Sequence, residues 1–405
     1  MNKKDKNIND NALRIISQAN KKAVFLIIFS ALFSLTFIGL LFYYFFVSKL
    51  DIAKRNDKPL YFSILFVDDN NIYGAYAGIV SSLNNRIGLI GLPRNLALHN
   101  NRDSIYLELN KLYKEKGEKA VFKVIEASLN KKISYNITVN NSQISDIIDL
   151  IGGIKMYIEE PIYYKDEEKG YELSFDIGEW VFTGKKTISY LHYLNMKGYE
   201  DIETLYKLED IIVNSMIGLI QSHQLRNIIS SKDMRNALFY KIKSNLRPPD
   251  IKAFMNILAN SNERTLVIEN IDARVNDDGV LTPIFNGRAF IKQMEDLTLY
   301  VELKTQKSKL NNEDVSLTVL NATSVVGLAD RVNIRMRYRG FSAGEYGNFG
   351  IRLNESVVLI RDGQIEKAFM VANEERIARI YAKTDRRVLN NAVLILGNDY
   401  YEITQ

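Results

Sequence analysis

The chain has 405 residues, 46% of them hydrophobic and 25% charged, a balance that suits a folded body with a sizeable core. It contains no cysteine, which excludes disulfides, thiolate metal sites and a cysteine nucleophile; its three histidines, His99, His192 and His223, lie too far apart for a zinc motif. The net charge of +5 is small for this length and leaves no electrostatic footprint of a nucleic-acid binder.

Residues 23–47, AVFLIIFSALFSLTFIGLLFYYFFV, carry no charge at all. At about 1.5 Å per residue such a helix reaches roughly 37 Å, enough to cross a hydrocarbon core of about 30 Å. A cleaved signal peptide would have a shorter apolar region ending in a small-x-small site, whereas this one runs through Phe45, Phe46 and Val47 into Ser48 and Lys49. The pattern predicts an uncleaved single-pass anchor at 23–47. Lys3, Lys4, Lys6, Arg14, Lys21 and Lys22 outweigh Asp5 and Asp10 before it, so 1–22 is read as a cytoplasmic tail and the body as extracytoplasmic, held at the cell membrane. Such a tail is too short to hold a DNA-reading domain.

Residues 48–59 read as a polar juxtamembrane linker that lifts the body off the membrane. Strands follow at 61–67, 77–83 and 87–92, the last two as a hairpin; Pro93 stops the third and leaves Arg94 at its end. Apolar residues at Ala120, Val121, Val124, Ile125 and Leu129 predict a helix over 118–129. A strand at ISYNITV, a helix at SQISDIIDLI capped by Gly152 and Gly153, and a strand at IKMYIEE come next. The stretch 173–191 reads as strand, turn at Gly184 and helix, and Leu205, Leu208, Ile212, Met216 and Leu219 mark a long amphipathic helix from Glu203 to about Gln221. After a polar linker at 304–314, Val315, Leu317 and Val319 alternate as a strand, Asn321 and Thr323 can cap, and Val325, Leu328, Ala329, Val332 and Met336 line a helix that ends at Gly340. That last part reads as strand, helix, strand, strand, helix, strand.

In their order these segments resemble the LytR-CpsA-Psr family of membrane-anchored envelope proteins. The likeness rests on Asp68-Asp69 at a strand end, GLPRN at 91–95, LNKLYKEKG at 109–117, DLIGGIKMYIEEPIYY at 149–164, FDIGEWVFTGKKTISYLHY at 175–193 and the run 268–297. Residues 315–405 resemble the small LytR-type C-terminal domain that accompanies this family. The resemblance implies an α/β fold: an anchor, a domain at 60–303 with a central mixed sheet flanked by helices, and a smaller α/β domain. It also implies transfer of a glycopolymer from undecaprenyl pyrophosphate to a cell-wall acceptor. Such chemistry needs guanidinium forks on the pyrophosphate and a magnesium ion on carboxylates.

The family pattern is incompletely kept. Arg94 stands where the family has its strand-end arginine, but the following acid is Asn95, and the second-strand aspartate falls at Gly74 or Ala75. A lysine expected before the Leu-Asn pair aligns with Glu108, arginines expected after Leu191 fall on His192 and Leu194, and the Gly-Arg-x-x-Arg pattern reads Glu203-Thr204-Leu205-Tyr206-Lys207. Arg94, Lys207 and His192 are thus the candidate pyrophosphate-binding residues, and Asp68, Asp69 and Asn95 the metal-proximal ones; with Lys111 they could form a rearranged site, or be ordinary strand-end and helix-surface polar groups. Arg331, Arg335 and Arg339 on one helix flank could grip an anionic polymer or simply complement the helix dipole, Trp180 could stack on a sugar or fill a core, and neighbours Glu159 and Glu160 point to opposite faces and make no glycosidase dyad. The expectation is a membrane-anchored envelope protein that binds envelope polymer, polyprenyl-phosphate lipid or protein partners with the family transferase activity lost or altered. The alternative is an active magnesium-dependent phosphotransferase.

Overall fold

The computed structural model describes residues 29, 33–37, 39, 41, 43–68, 71–100, 105–197, 200–302 and 310–400. About half of the anchor segment, together with Asp69, lies outside the described residues; Phe29 and the other described residues up to Phe46 are helical. Among the described residues no helix is long and apolar enough to cross a membrane.

A mixed six-stranded sheet forms the centre, in the spatial order Lys243–Ser244, Ile133–Asn140, Leu60–Val67, Ile72–Ser81, Arg86–Leu92, Leu266–Asn270. Leu60–Val67 runs parallel to Ile133–Asn140 and antiparallel to Ile72–Ser81. Arg86–Leu92 pairs antiparallel with Ile72–Ser81 and parallel with Leu266–Asn270. Its central strands are continuous apolar runs because both faces are covered. Phe62, Tyr73, Tyr76 and Leu89 pack on one side with Leu205 and Leu208 of the long helix Asp201–Gln221. Leu65, Ala75, Ile79 and Ile90 pack on the other with the helices Glu118–Leu129 and Arg288–Glu302.

Local rules explain several boundaries. The helix Asn141–Leu150 opens on a capping box between Asn140 and Gln143. It closes in a Schellman motif, with Gly153 N–H donating to Ile148 O and Gly152 N–H to Asp149 O. Both glycines have positive φ, the conformation that favours glycine there.

Four expectations are corrected. Residues 49–55 do not lift the body away: they form a helix whose Leu50 and Ala53 are buried against it. The second strand begins at Ile72, not 77. The 173–191 stretch holds parts of two strands, Tyr171–Phe175 and Gly178–Phe182, and Gly184 opens the helix Gly184–Met196 behind the cap Thr183 rather than making a turn. Asn321 caps no helix; its side chain closes the following turn through Thr323 and Val325, and the helix Leu328–Tyr338 starts after Gly327.

Residues 316–396 form a second, five-stranded sheet in the order Ser342–Asn348, Ser316–Asn321, Ala392–Leu396, Val357–Ile360, Ile380–Ala382. The strand Ile380–Ala382 is one more than the pattern predicts, being only three residues long. It lies against the long helix, where Asn214 donates to Ala382 O at 3.2 Å and accepts from Ala382 N at 2.9 Å. The long helix therefore has the central sheet on one side and this second sheet on the other.

Candidate functional site

The register puts the ends of three segments together: Val67 and Asp68, the start of the strand at Ile72, and Leu92 to Asn95. Pro93 cannot extend the ladder, so the chain turns and Arg94 leaves the sheet plane. Its guanidinium is already engaged. Nε pairs with Asp201, the first residue of the long helix, and Nη1 donates to Asn195 Oδ1 at 3.1 Å. Asp201 also complements the helix N-terminus. Asp68 accepts from Asn141 Nδ2 at 2.9 Å, and Asn110 ties the neighbouring loop by accepting from Ile72 N at 3.0 Å and donating to Asn71 Oδ1 at 3.3 Å. Asn95 is exposed. The floor is glycine: a carbon added at Gly74 would lie 2.7 Å from Leu205 Cδ1 and 3.3 Å from Leu208 Cδ2, so the helix rests directly on the strand.

The other candidates do not join Arg94. His192 pairs with Asp166 Oδ2 at 3.0 Å and sits among Tyr164 and Tyr171, one turn before Asn195. Lys207 reaches Asp210 at 3.8 Å on a different side of the long helix. Trp180 is half-buried against Phe175, with Lys186 over its ring. Arg335 binds Glu375 and Tyr400 and Arg339 binds Glu374, so that flank is only partly a solvated face. Among the described residues at the strand ends Asp201 is committed to Arg94 and Asn95 brings no charge, and among the described residues no three His, Asp or Glu side chains converge as metal ligands.

A second polar cluster, which pattern reading missed, lies between the long helix and the C-terminal sheet. Glu209 and Asp210 are fully buried. Arg386 binds Glu209 Oε1 at 2.6 Å and Ile268 O at 2.9 Å, and Thr384 N donates to Asp210 Oδ1 at 2.6 Å. Arg361 forks onto Glu159, at 2.5 and 2.8 Å. Burial pushes the Glu209 carboxyl up to about 7 against the pull of Arg386. Burial likewise brings the Lys383 ammonium down to about 8, with Lys207 adding to the effect. For Glu159 burial also acts upward, but the Arg361 fork prevails and holds it below the usual carboxylate range. The signal was present: two adjacent acids between Leu208 and Ile211 on a helix apolar on both sides require buried partners, and the run Lys383 to Arg387 supplies them.

The LytR_cpsA_psr family model matches residues 80–298, and the model described as LytR cell envelope-related transcriptional attenuator matches 314–400. No curated protein matches the chain. Among solved structures, TagV of B. subtilis is 15% identical with a TM-score of 0.48, covering 62% of this chain and 99% of its own. A transcriptional regulator from Enterococcus faecalis is 15% identical with a TM-score of 0.49, covering 65% and 93%. TagT bound to LIIa-WTA is 12% identical with a TM-score of 0.45, covering 60% and 91%.

Proposed function

Because the chain belongs to the LytR-CpsA-Psr family of cell-envelope proteins, we propose that it is a membrane-anchored, extracytoplasmic member that binds polyprenyl-phosphate lipid or anionic envelope polymer without the family's transferase turnover. The observation that carries this reading is the state of Arg94. A pyrophosphate arriving at the strand ends would have to displace Asp201 from its guanidinium, and breaking such a partly buried pair costs about 2–5 kcal/mol. Charge developing on a leaving phosphate would meet one occupied arginine and, among the described residues, no second fork. The anchor reading rests on the uncharged run at 23–47, and the domain limits 60–303 and 315–405 on the two separate sheets together with that sequence pattern.

The full chain, purified in detergent, is given a polyprenyl-pyrophosphate glycan donor, and binding and turnover are read on one sample with and without magnesium. Binding without turnover is the expected result. Magnesium-dependent turnover that Arg94→Ala abolishes would instead establish an active phosphotransferase with a rebuilt site.

A further inference from the structure

The strand register separates the body into two ends. Leu60 pairs with Val80, Tyr61 with Ile133, and Ser81 with Arg86, so the start of the first strand, the turn before Ile133 and the hairpin at 82–85 share the end opposite Arg94. The chain emerging from the apolar segment is clamped to this same end. Asp250, fully buried, accepts from Ser48 Oγ at 3.1 Å, Lys49 N at 2.7 Å and Tyr135 Oη at 3.0 Å. Arg247 completes the clamp: it binds Asp250 at 3.0 Å, donates to Val47 O at 3.0 Å and lies over the Tyr43 ring. With Leu50 buried beneath it, the exit from the apolar segment is a fixed joint rather than a tether.

Around the joint the surface is basic. Lys54, Arg55, Lys58 and Lys132 are exposed and Lys131 is half-buried over the Tyr61 ring, against the exposed acids Asp51 and Asp57. Glu126, next to this group, is exposed as well and adds a third negative charge while accepting from Ile133 N at 3.2 Å, which leaves the basic residues in excess.

We propose that this basic end, held by the Asp250 joint, seats flat on an anionic lipid surface and fixes the Arg94 end away from the bilayer, where of the two ligands proposed above it meets envelope polymer rather than the phosphate of a bilayer-held lipid. The inference rests on the reading of 23–47 as a membrane span. Continuity with the apolar segment favours a plane of headgroups: Arg247 and Asp250 hold the chain at Val47 and Lys49, and the helix that carries Lys54 and Arg55 begins at that point. Each basic residue near such a surface strengthens contact by about fivefold. The contact weakens with salt as the screening length falls from about 8 Å at physiological strength to about 3 Å at 1 M.

The absence of cysteine makes the test direct. Leu83→Cys and Asn95→Cys, at opposite ends of the strand Arg86–Leu92, each carry a fluorophore on the full chain in vesicles of phosphatidylglycerol and phosphatidylcholine, with a headgroup quencher. The expected result is strong quenching at 83 and weak quenching at 95. Quenching at 83 should fall in pure phosphatidylcholine, in high salt, and in Lys131→Gln and Lys132→Gln, either of which alone should weaken contact about fivefold. Equal quenching at both sites, or quenching at 83 that ignores lipid charge, would overturn the proposal. Chain that fails to float with vesicles after alkaline carbonate would overturn the anchor reading instead, so the two failures are separable. Added soluble polyphosphate that removes quenching at 83 even from phosphatidylcholine vesicles would show that the cations serve a free polyanion, and the proposal would fall.

Discussion

Glu209 and Lys383 both bear an electrostatic cost of joining the two sheets. The folded Glu209 carboxyl binds a proton more tightly than it would in the unfolded chain, the value rising to about 7 through burial. The sign follows: its stabilising contribution is full below about pH 4.5 and is lost as pH climbs through about 7. Lys383, brought down to about 8, contributes in the opposite sense, and only at higher pH. Urea midpoints at pH 5 and pH 7.5 should therefore show a decline that Glu209→Gln reduces by on the order of 2 kcal/mol. An unchanged decline in the variant would mean that the carboxyl titrates as in the unfolded chain. Arg386→Ala is the harsher change: it removes the pull that holds the Glu209 carboxyl down, so that group takes a proton at neutral pH, and it leaves Ile268 O without this donor; it should cost about 1–3 kcal/mol by the same unfolding measurement.

At the level of elements, the long helix decides what the strand ends can do. It lies close over glycine positions of the sheet: a carbon added at Gly74 would meet the side-chain ends of Leu205 and Leu208, and one at Gly91 would meet Asn270 Oδ1 first and then Leu205. Gly74→Asp, which would put an acid back at the family position, should destabilise the chain by about 1–3 kcal/mol, through overpacking and a buried carboxylate, without creating turnover. Adding Leu205→Ala should relieve the clash, although that truncation has its own cost of about 2–5 kcal/mol. A Gly74→Asp protein as stable as the parent would show that the helix can lift. This helix, the hairpin and the Gly152–Gly153 stop were legible from period and punctuation alone. The docking of residues 49–55 was not, because Lys49, Asp51, Lys54 and Arg55 make that segment read as solvated; only Leu50 and Ala53, four-fifths polar company notwithstanding, mark its buried side. Arg94 was found by its position after Pro93, but its partner Asp201 lies far along the chain, where no local pattern reveals a pairing.

For the whole molecule the question is whether the two sheets unfold together. The polar linker and the complete set of strands and helices after 315 predict a C-terminal part able to fold alone. Its interface is not that of a loosely tethered domain, however. Tyr157 stacks on Tyr381 at 5.7 Å, Tyr381 binds Glu179, Asn214 holds both polar groups of Ala382, and Arg361, Arg386 and Arg387 each reach an acid on the other side. One apolar cluster runs from the long helix into the C-terminal strands. Weakly joined domains keep polar interfaces and move independently, whereas a buried, hydrogen-bonded interface couples their unfolding. Calorimetry of the full chain in detergent should give a single transition for the two sheets. Residues 310–405 expressed alone should still melt cooperatively but at a lower temperature, because Arg361 and Arg386 lose the acids that bind them and Tyr381 loses its stacking partner. Glu159→Gln, which keeps the shape of the interface but removes the charge that Arg361 grips, should move the full-chain transition toward that of the fragment. Two well-separated transitions in the unmodified chain, the second coinciding with the isolated fragment, would show instead that the ionic cluster only decorates a contact between independent units.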